Sequence, residues 1–207
     1  MVGLQINIQQ LLQQGHVVEA GNLCLKACRT QPDNPAVWAA LASVQIAAGD
    51  FAAVANSYRR VLDLQPDNCT AYFNLAIACS RLNRPGEAMD CLQKVIELDP
   101  HRTDAIVVLA EYHKSARNYP EAIRLLTTGA ADNPDDVRVN WLLGLCLQDT
   151  GELEPAAAYF SRACHLMRSC GQIPQGFYPT RDPQPGDTFN FTSAHKLQHD
   201  IEQFEYL

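Results

Sequence analysis

The chain has 207 residues and a formal net charge of −7. That charge excludes a general nucleic-acid-binding role, which needs a basic surface to neutralise phosphates. Apolar residues make up 47% of the chain, enough for a continuous core, yet no apolar run approaches the roughly 18–20 residues that span a bilayer. Residues 1–14 lack the basic start and apolar centre of a signal peptide. The chain is therefore expected in the cytoplasm, away from membranes.

Taken in order, the first 34 residues hold Gly15, Ala20 and Ala27 and close on Pro32. Pro66, Pro100 and Pro134 then follow at intervals of 34 residues. A fixed period of this length is that of a helix–turn–helix unit that stacks on its neighbours. The units run 1–34, 35–68, 69–102, 103–136 and 137–170, with two helices expected in each. The second unit holds Trp38, Leu41 and Ala42, then Gly49, then Tyr58, Val61 and Leu64. The third repeats the pattern with Tyr72, Leu75, Ala76, Ala88, Val95 and Leu98, and the fourth with Leu109, Ala110, Tyr119 and Ala122. The fifth has Leu143, Gly144, Gly151, Ala156, Phe160 and Ala163.

Local signals agree with this division. Ala42, Ala76, Ala110 and Gly144 are small where antiparallel helices approach closely. Gly15, Gly49 and Gly151 supply the left-handed backbone that ends a helix. Asn34 before Pro35 reads as an N-cap and a first-turn proline, and Asn118 with Glu121 as a capping arrangement. Leu62, Leu92 and Leu125 mark apolar helix faces.

These residues resemble the tetratricopeptide repeat family over about 170 residues. Its pattern has a large residue at position four of each unit, Leu at seven, Gly or Ala at eight, Ala at twenty, an aromatic near twenty-four, Ala at twenty-seven and Pro at thirty-two. Ile106 and Asn140 depart from it at position four, where Trp141 is displaced by one. Val61, Val95 and Gly129 depart from it at position twenty-seven. The resemblance implies an all-α, right-handed α-solenoid of five repeats.

Beyond the repeats, residues 171–191 hold Pro174, Pro179, Pro183 and Pro185. They read as an extended segment, whose Phe177, Tyr178, Phe189 and Phe191 are unusual for a solvated linker. In 192–207, Leu197, Ile201 and Phe204 share one face of an amphipathic C-terminal helix, expected to cap the open end of the array. The stretch HKLQHDIEQFEYL also resembles the connector after the repeats in bacterial proteins that carry an iron- and 2-oxoglutarate-dependent oxygenase domain.

Catalytic machinery is not evident. Eight cysteines include no C-x-x-C pair. Cys69, Cys79, Cys91, Cys146 and Cys164 sit within helical apolar patterns, and Cys24 and Cys28 share one helix face, so all read as reduced core thiols. His195 and His199 are spaced for one metal with Glu202 nearby. Lys196 stands where a zinc protease needs Glu, and these residues read as a solvated polar face. No phosphate-binding glycine motif occurs. The chain is expected to be no enzyme and to need no metal or cofactor.

The family resemblance places a binding groove on the first helix of each unit. Its central positions here are Ala39, Ala40 and Ser43; Phe73, Asn74 and Ile77; Val107, Val108 and Glu111; and Trp141, Leu142 and Leu145. Arg81, Lys114, Arg138, Gln148 and Asp149 lie further out. The Lys and Asn clamp that some relatives use for a terminal carboxylate has no match, and the groove reads as apolar, with Phe73 and Trp141 as anchors. The expected function is a scaffold that binds a peptide or protein segment. The alternatives are a substrate-recruiting region of a larger enzyme, an oxygenase or a glycosyltransferase, and weak self-association through an uncapped repeat end.

Overall fold

The structure, a computed structural model, describes residues 2–169. Ten helices follow one another: α1 (Val2–Gln13), α2 (Val17–Thr30), α3 (Pro35–Ala47), α4 (Phe51–Leu64), α5 (Cys69–Arg81), α6 (Pro85–Leu98), α7 (Thr103–Ser115), α8 (Tyr119–Asp132), α9 (Val137–Asp149) and α10 (Leu153–Ser169). Two helices fall in each of the five 34-residue units. The fold is all-α, and the described residues contain no strand. The segments 171–191 and 192–207, with the extended stretch and capping helix expected there, lie outside the described residues.

The helices group into two compact units, one ending at Ala105 and one beginning at Ile106. In the first, α3 packs against α1, α2 and α4, and α5 against α4 and α6. A core of Ile8, Ala20, Cys24, Cys28, Val37, Leu41 and Val44 joins the first three helices. In the second, α9 packs against α8 and α10, around the fully buried Ile106, Leu109, Leu126, Leu143 and Phe160.

The turn inside each repeat is the same device used five times. Residues 15, 49, 83, 117 and 151 all have positive φ, between 57° and 86°. The following amide reaches back five residues: His16 to Leu11, Asp50 to Gln45, Arg84 to Cys79, Asn118 to His113 and Glu152 to Leu147, at 2.8–3.0 Å. This bond satisfies a carbonyl left over at the helix end. Glycine fills the left-handed place in three repeats, and Asn83 and Arg117 fill it in the other two.

The joints between repeats are also periodic. Asn34 accepts from the Ala36 amide at 3.2 Å, Asn68 from Ala71 at 2.9 Å, and Asp136 from Arg138 and Val139 at 2.8 and 3.2 Å. The capping arrangement expected at Asn118 is not formed. Glu121 is taken by Arg124 at 2.6 and 2.9 Å, and Asn118 donates its side-chain amide to His113 Nδ1 at 3.3 Å. Nor is Trp141 a displaced position-four residue. Asn140 occupies that position and donates to the carbonyl of Pro134 at 2.8 Å, as Trp38 Nε1 does to Pro32 at 2.8 Å.

In the fifth repeat the glycine at position eight is matched to the ring at position twenty-four. A Cβ on Gly144 would stand 2.7 Å from the Phe160 ring. The repeats with Leu92 and Leu126 at the matching place carry Ala76 and Ala110, all four of them buried.

Candidate functional site

In the first compact unit, the inner faces of α1, α3 and α5 border a cleft of about 700 Å³. Its wall is low because Ala39, Ala40 and Ala71 project only a methyl group. Its floor is Tyr58 and Val61 from α4, and Ile8 and Leu12 of α1 line it as well. Ala39 and Ala40 are half-buried and Ser43 is exposed. The polar lining groups are Gln9, Ser43, Asn68, Thr70 and Asn74, and no lining residue is charged. Asn68 is occupied as a cap and by Gln65 at 2.8 Å, and Ser43 Oγ donates to the Ala39 carbonyl at 3.2 Å. Asn74, half-buried on α5, keeps both its amide donor and its acceptor available.

Ile8, Gln9 and Leu12 of the first unit join a groove whose expected residues begin in the second unit. Positions nine and twelve of the first unit are Gln9 and Leu12, so the same numbering pointed to them. Tyr58 and Val61 carried no such signal. They show through only because the residues above them are small.

Phe73 and Ile77, also expected in the groove, are half-buried. Phe73 is not a bare anchor. The Arg102 guanidinium lies 4.7 Å from its ring centroid, a cation–π contact. Arg102 is held there by Asp104 at 3.0 Å and by Cys69 Sγ at 3.5 Å.

The second compact unit differs. Val107 is buried and Glu111 half-buried. Trp141 is 3% exposed and Leu145 6%. The Trp141 ring meets Phe160 edge-on, with centroids 5.0 Å apart and planes at 60°. The expectation of Trp141 as an open aromatic anchor is therefore corrected: its ring is part of the packed interior, where the apolar character that suggested binding serves cohesion instead. Further out, Lys114 and Asp149 pair at 3.7 Å, each about three-quarters covered.

Three of the thiols are held protonated. Burial, with Cys28 adding to it, pushes the Cys24 thiol up to about 11. Burial raises Cys146 and Cys91 to about 11 as well. A thiol held protonated is a poor nucleophile and a poor metal ligand. Among the described residues no group of three His, Cys, Asp or Glu side chains is placed to hold a metal, and no described helix is long and apolar enough to cross a membrane. His195, His199 and Glu202 lie outside the described residues.

Known proteins match this geometry. Tetratricopeptide repeat models match residues 11–75, 69–102 and 107–171. No curated protein matches the chain by sequence. Among solved structures, a crystal structure of MamA superposes with a TM-score of 0.73 at 20% identity, covering 80% of this chain and 97% of that one. YrrB, described as a TPR protein with an unusual peptide-binding site, gives a TM-score of 0.66 at 15% identity, over 81% and 87% of the two chains. A tetratricopeptide repeat protein from Parabacteroides merdae gives 0.70 at 19% identity, over 82% and 66%. With five helical hairpins in a 34-residue period and family matches along most of its length, this chain belongs to the tetratricopeptide repeat family.

Proposed function

We propose that the protein is a non-catalytic interaction scaffold that holds a peptide or protein segment against the inner faces of its first helices. The observation that carries this reading is the cleft of the first unit, an apolar trough with an uncharged rim. Ala39, Ala40 and Ser43 form one side, Asn74 the other, and Phe73 and Ile77 continue the surface along α5. Such a trough accepts one or two apolar side chains, while Asn74 bonds the backbone that carries them. The fit is to a neutral apolar stretch of a partner, since a charged side chain would be desolvated there without a counter-charge. The same fold in YrrB is described as carrying a peptide-binding site, which supports the class of ligand. Buried, protonated thiols suit a reducing compartment such as the cytoplasm.

The experiment is a peptide-display selection on the full chain, followed by affinity measurement of the selected peptides. Ser43→Arg fills the cleft from an exposed position. It is expected to weaken the selected peptides at least tenfold with helical circular dichroism unchanged. Affinity that survives Ser43→Arg and Asn74→Ala together would place recognition on another surface.

A further inference from the structure

Positions eighteen and twenty-five lie on the second helix of each repeat, and in four repeats neither carries a large apolar side chain. Position eighteen is Ala52, Gly86, Pro120 and Glu154, all exposed. Position twenty-five is Arg59, Gln93, Thr127 and Ser161. The first repeat departs at both places. Val18 is 77% exposed and Leu25 45%, and seven residues apart they share one face of α2. The buried Ala20, Cys24 and Cys28 take the opposite side and join the core with α1 and α3. Between Val18 and Leu25 stands Gly21, which the packing of this chain does not require. A Cβ added there would meet Val44 Cγ1 at an ordinary 3.8 Å. Glycine weakens a helix interior, and here it leaves a hollow beside two solvent-facing apolar side chains.

We propose that this face of α2 docks on the same face of a second copy of the chain, with the two helices antiparallel. Charge complementarity selects this occupant. Glu19, Asn22 and Lys26 are exposed on the same face. At about 100° per residue, Val18 and Leu25 fall roughly 40° and 60° to one side of Asn22, and Lys26 and Glu19 roughly 40° and 60° to the other. A two-fold axis beside Asn22 sets Val18 against Leu25 of the second copy and Glu19 against its Lys26, each contact occurring twice. The apolar row thus meets the apolar row, and each charge meets its opposite. A parallel pairing would instead set Glu19 beside Glu19 and Lys26 beside Lys26, which repel. Within its own chain Glu19 engages His16 Nδ1 through one oxygen, at 3.3 Å, which leaves the other for Lys26. One helix per copy is a small contact, so the dimer dissociation constant is expected on the order of 10–100 µM. No residue that lines the cleft lies on α2, so the pair keeps both clefts open and presents two of them to a partner. The contact stands on α2 alone and does not depend on what the cleft binds.

The test is sedimentation equilibrium of the full chain. Monomer and dimer are expected to exchange across about 5–500 µM, a range that brackets that constant. Leu25→Arg installs the residue type that Arg59 has at the matching position. It is expected to weaken dimerisation at least tenfold, with the helical signal and melting midpoint retained. The charges report the orientation. Glu19→Lys and Lys26→Glu are each expected to weaken self-association severalfold, because either change sets like charges opposite one another twice. Mixed one to one, the two variants are expected to pair as a heterodimer with close to the parent constant, since each charge again meets its opposite. A chain that stays monomeric over the whole range would assign the face to a different partner and overturn the proposal. So would a dimer indifferent to Leu25→Arg, single charge variants that dimerise as well as the parent, or variants that fail to pair when mixed.

Discussion

Asn140 donates its side-chain amide to the carbonyl of Pro134, 2.8 Å away, and so closes the joint between the fourth and fifth repeats. The same amide reaches the Asp136 carbonyl, also at 2.8 Å. Trp38 makes the equivalent bond to Pro32 with an indole nitrogen. Two chemically unrelated side chains thus do the same work at two joints: the carbonyls of Pro32 and Pro134 each receive a donor from position four of the next repeat. Asn140→Ala removes both bonds from a buried site and is expected to cost about 1–3 kcal/mol. Asn140→Asp, which turns a charge toward two carbonyls, should cost more. Urea unfolding of the three chains checks the order; a neutral Asn140→Ala would show that the joint needs no donor.

Arg117 holds a backbone conformation with φ of 58°, where the equivalent places in three other repeats have glycine. A non-glycine residue is strained there. Arg117→Gly is therefore expected to stabilise the protein by about 0.5–1 kcal/mol, despite the added freedom of the unfolded chain. Gly49→Ala, the reverse change at φ of 72°, is expected to lower stability by a similar amount or more. A melting midpoint that falls in Arg117→Gly would contradict this account of the turn.

Gly144 and Phe160 form a size-matched pair, since a methyl on Gly144 would press on the buried ring. Gly144→Ala is expected to destabilise by about 1–3 kcal/mol through overpacking. Adding Phe160→Leu recreates the Ala and Leu pairing of the third and fourth repeats. The double variant should then lose less than the sum of the two single changes, a coupling readable in a double-mutant cycle. Strict additivity would mean the two residues do not share the contact. Ala76→Leu and Ala110→Leu, at the matching positions, are expected to lower the melting midpoint for the same reason.

The buried thiols set a pH dependence. Cys24, Cys91 and Cys146 rise from 9.0 to about 11 on folding. Above pH 9 the unfolded chain gives up these protons first, so the folded state binds more of them and stability falls as pH rises. The contribution is fully present below pH 9 and is lost progressively toward pH 11. At pH 8, Cys24 and Cys146 are expected to react with a thiol reagent only as fast as the protein opens. Rapid labelling of either in the native state would contradict their burial.

Phe73→Ala tests how the inner surface of α5 is built. The ring supports Arg102 at 4.7 Å, so its loss releases a guanidinium as well as an apolar contact. Binding of a selected neutral peptide is expected to weaken by about tenfold or more, as for a hot-spot aromatic. Arg102→Gln, which keeps the ring, is expected to change it little. Equal losses from both would assign the contact to the cation.

The period of prolines, the small residues at position eight and the glycines at three of five turns made the number, length and pairing of the helices legible in the chain itself. These are local quantities. Helix ends and close helix contacts depend on backbone conformation and side-chain size, which residue types report directly. The device at Asn83 and Arg117 was hidden because nothing in those side chains announces a left-handed backbone; the stacked hairpins impose it. The site was legible only as a set of positions. Trp141 and Phe73 occupy the same place in their repeats, yet one is packed against Phe160 and the other carries Arg102. The cleft over Tyr58 and Val61 exists because three alanines from two helices come together above them. Exposure is a property of what neighbours leave uncovered, and those neighbours are brought together by tertiary packing of helices distant in sequence.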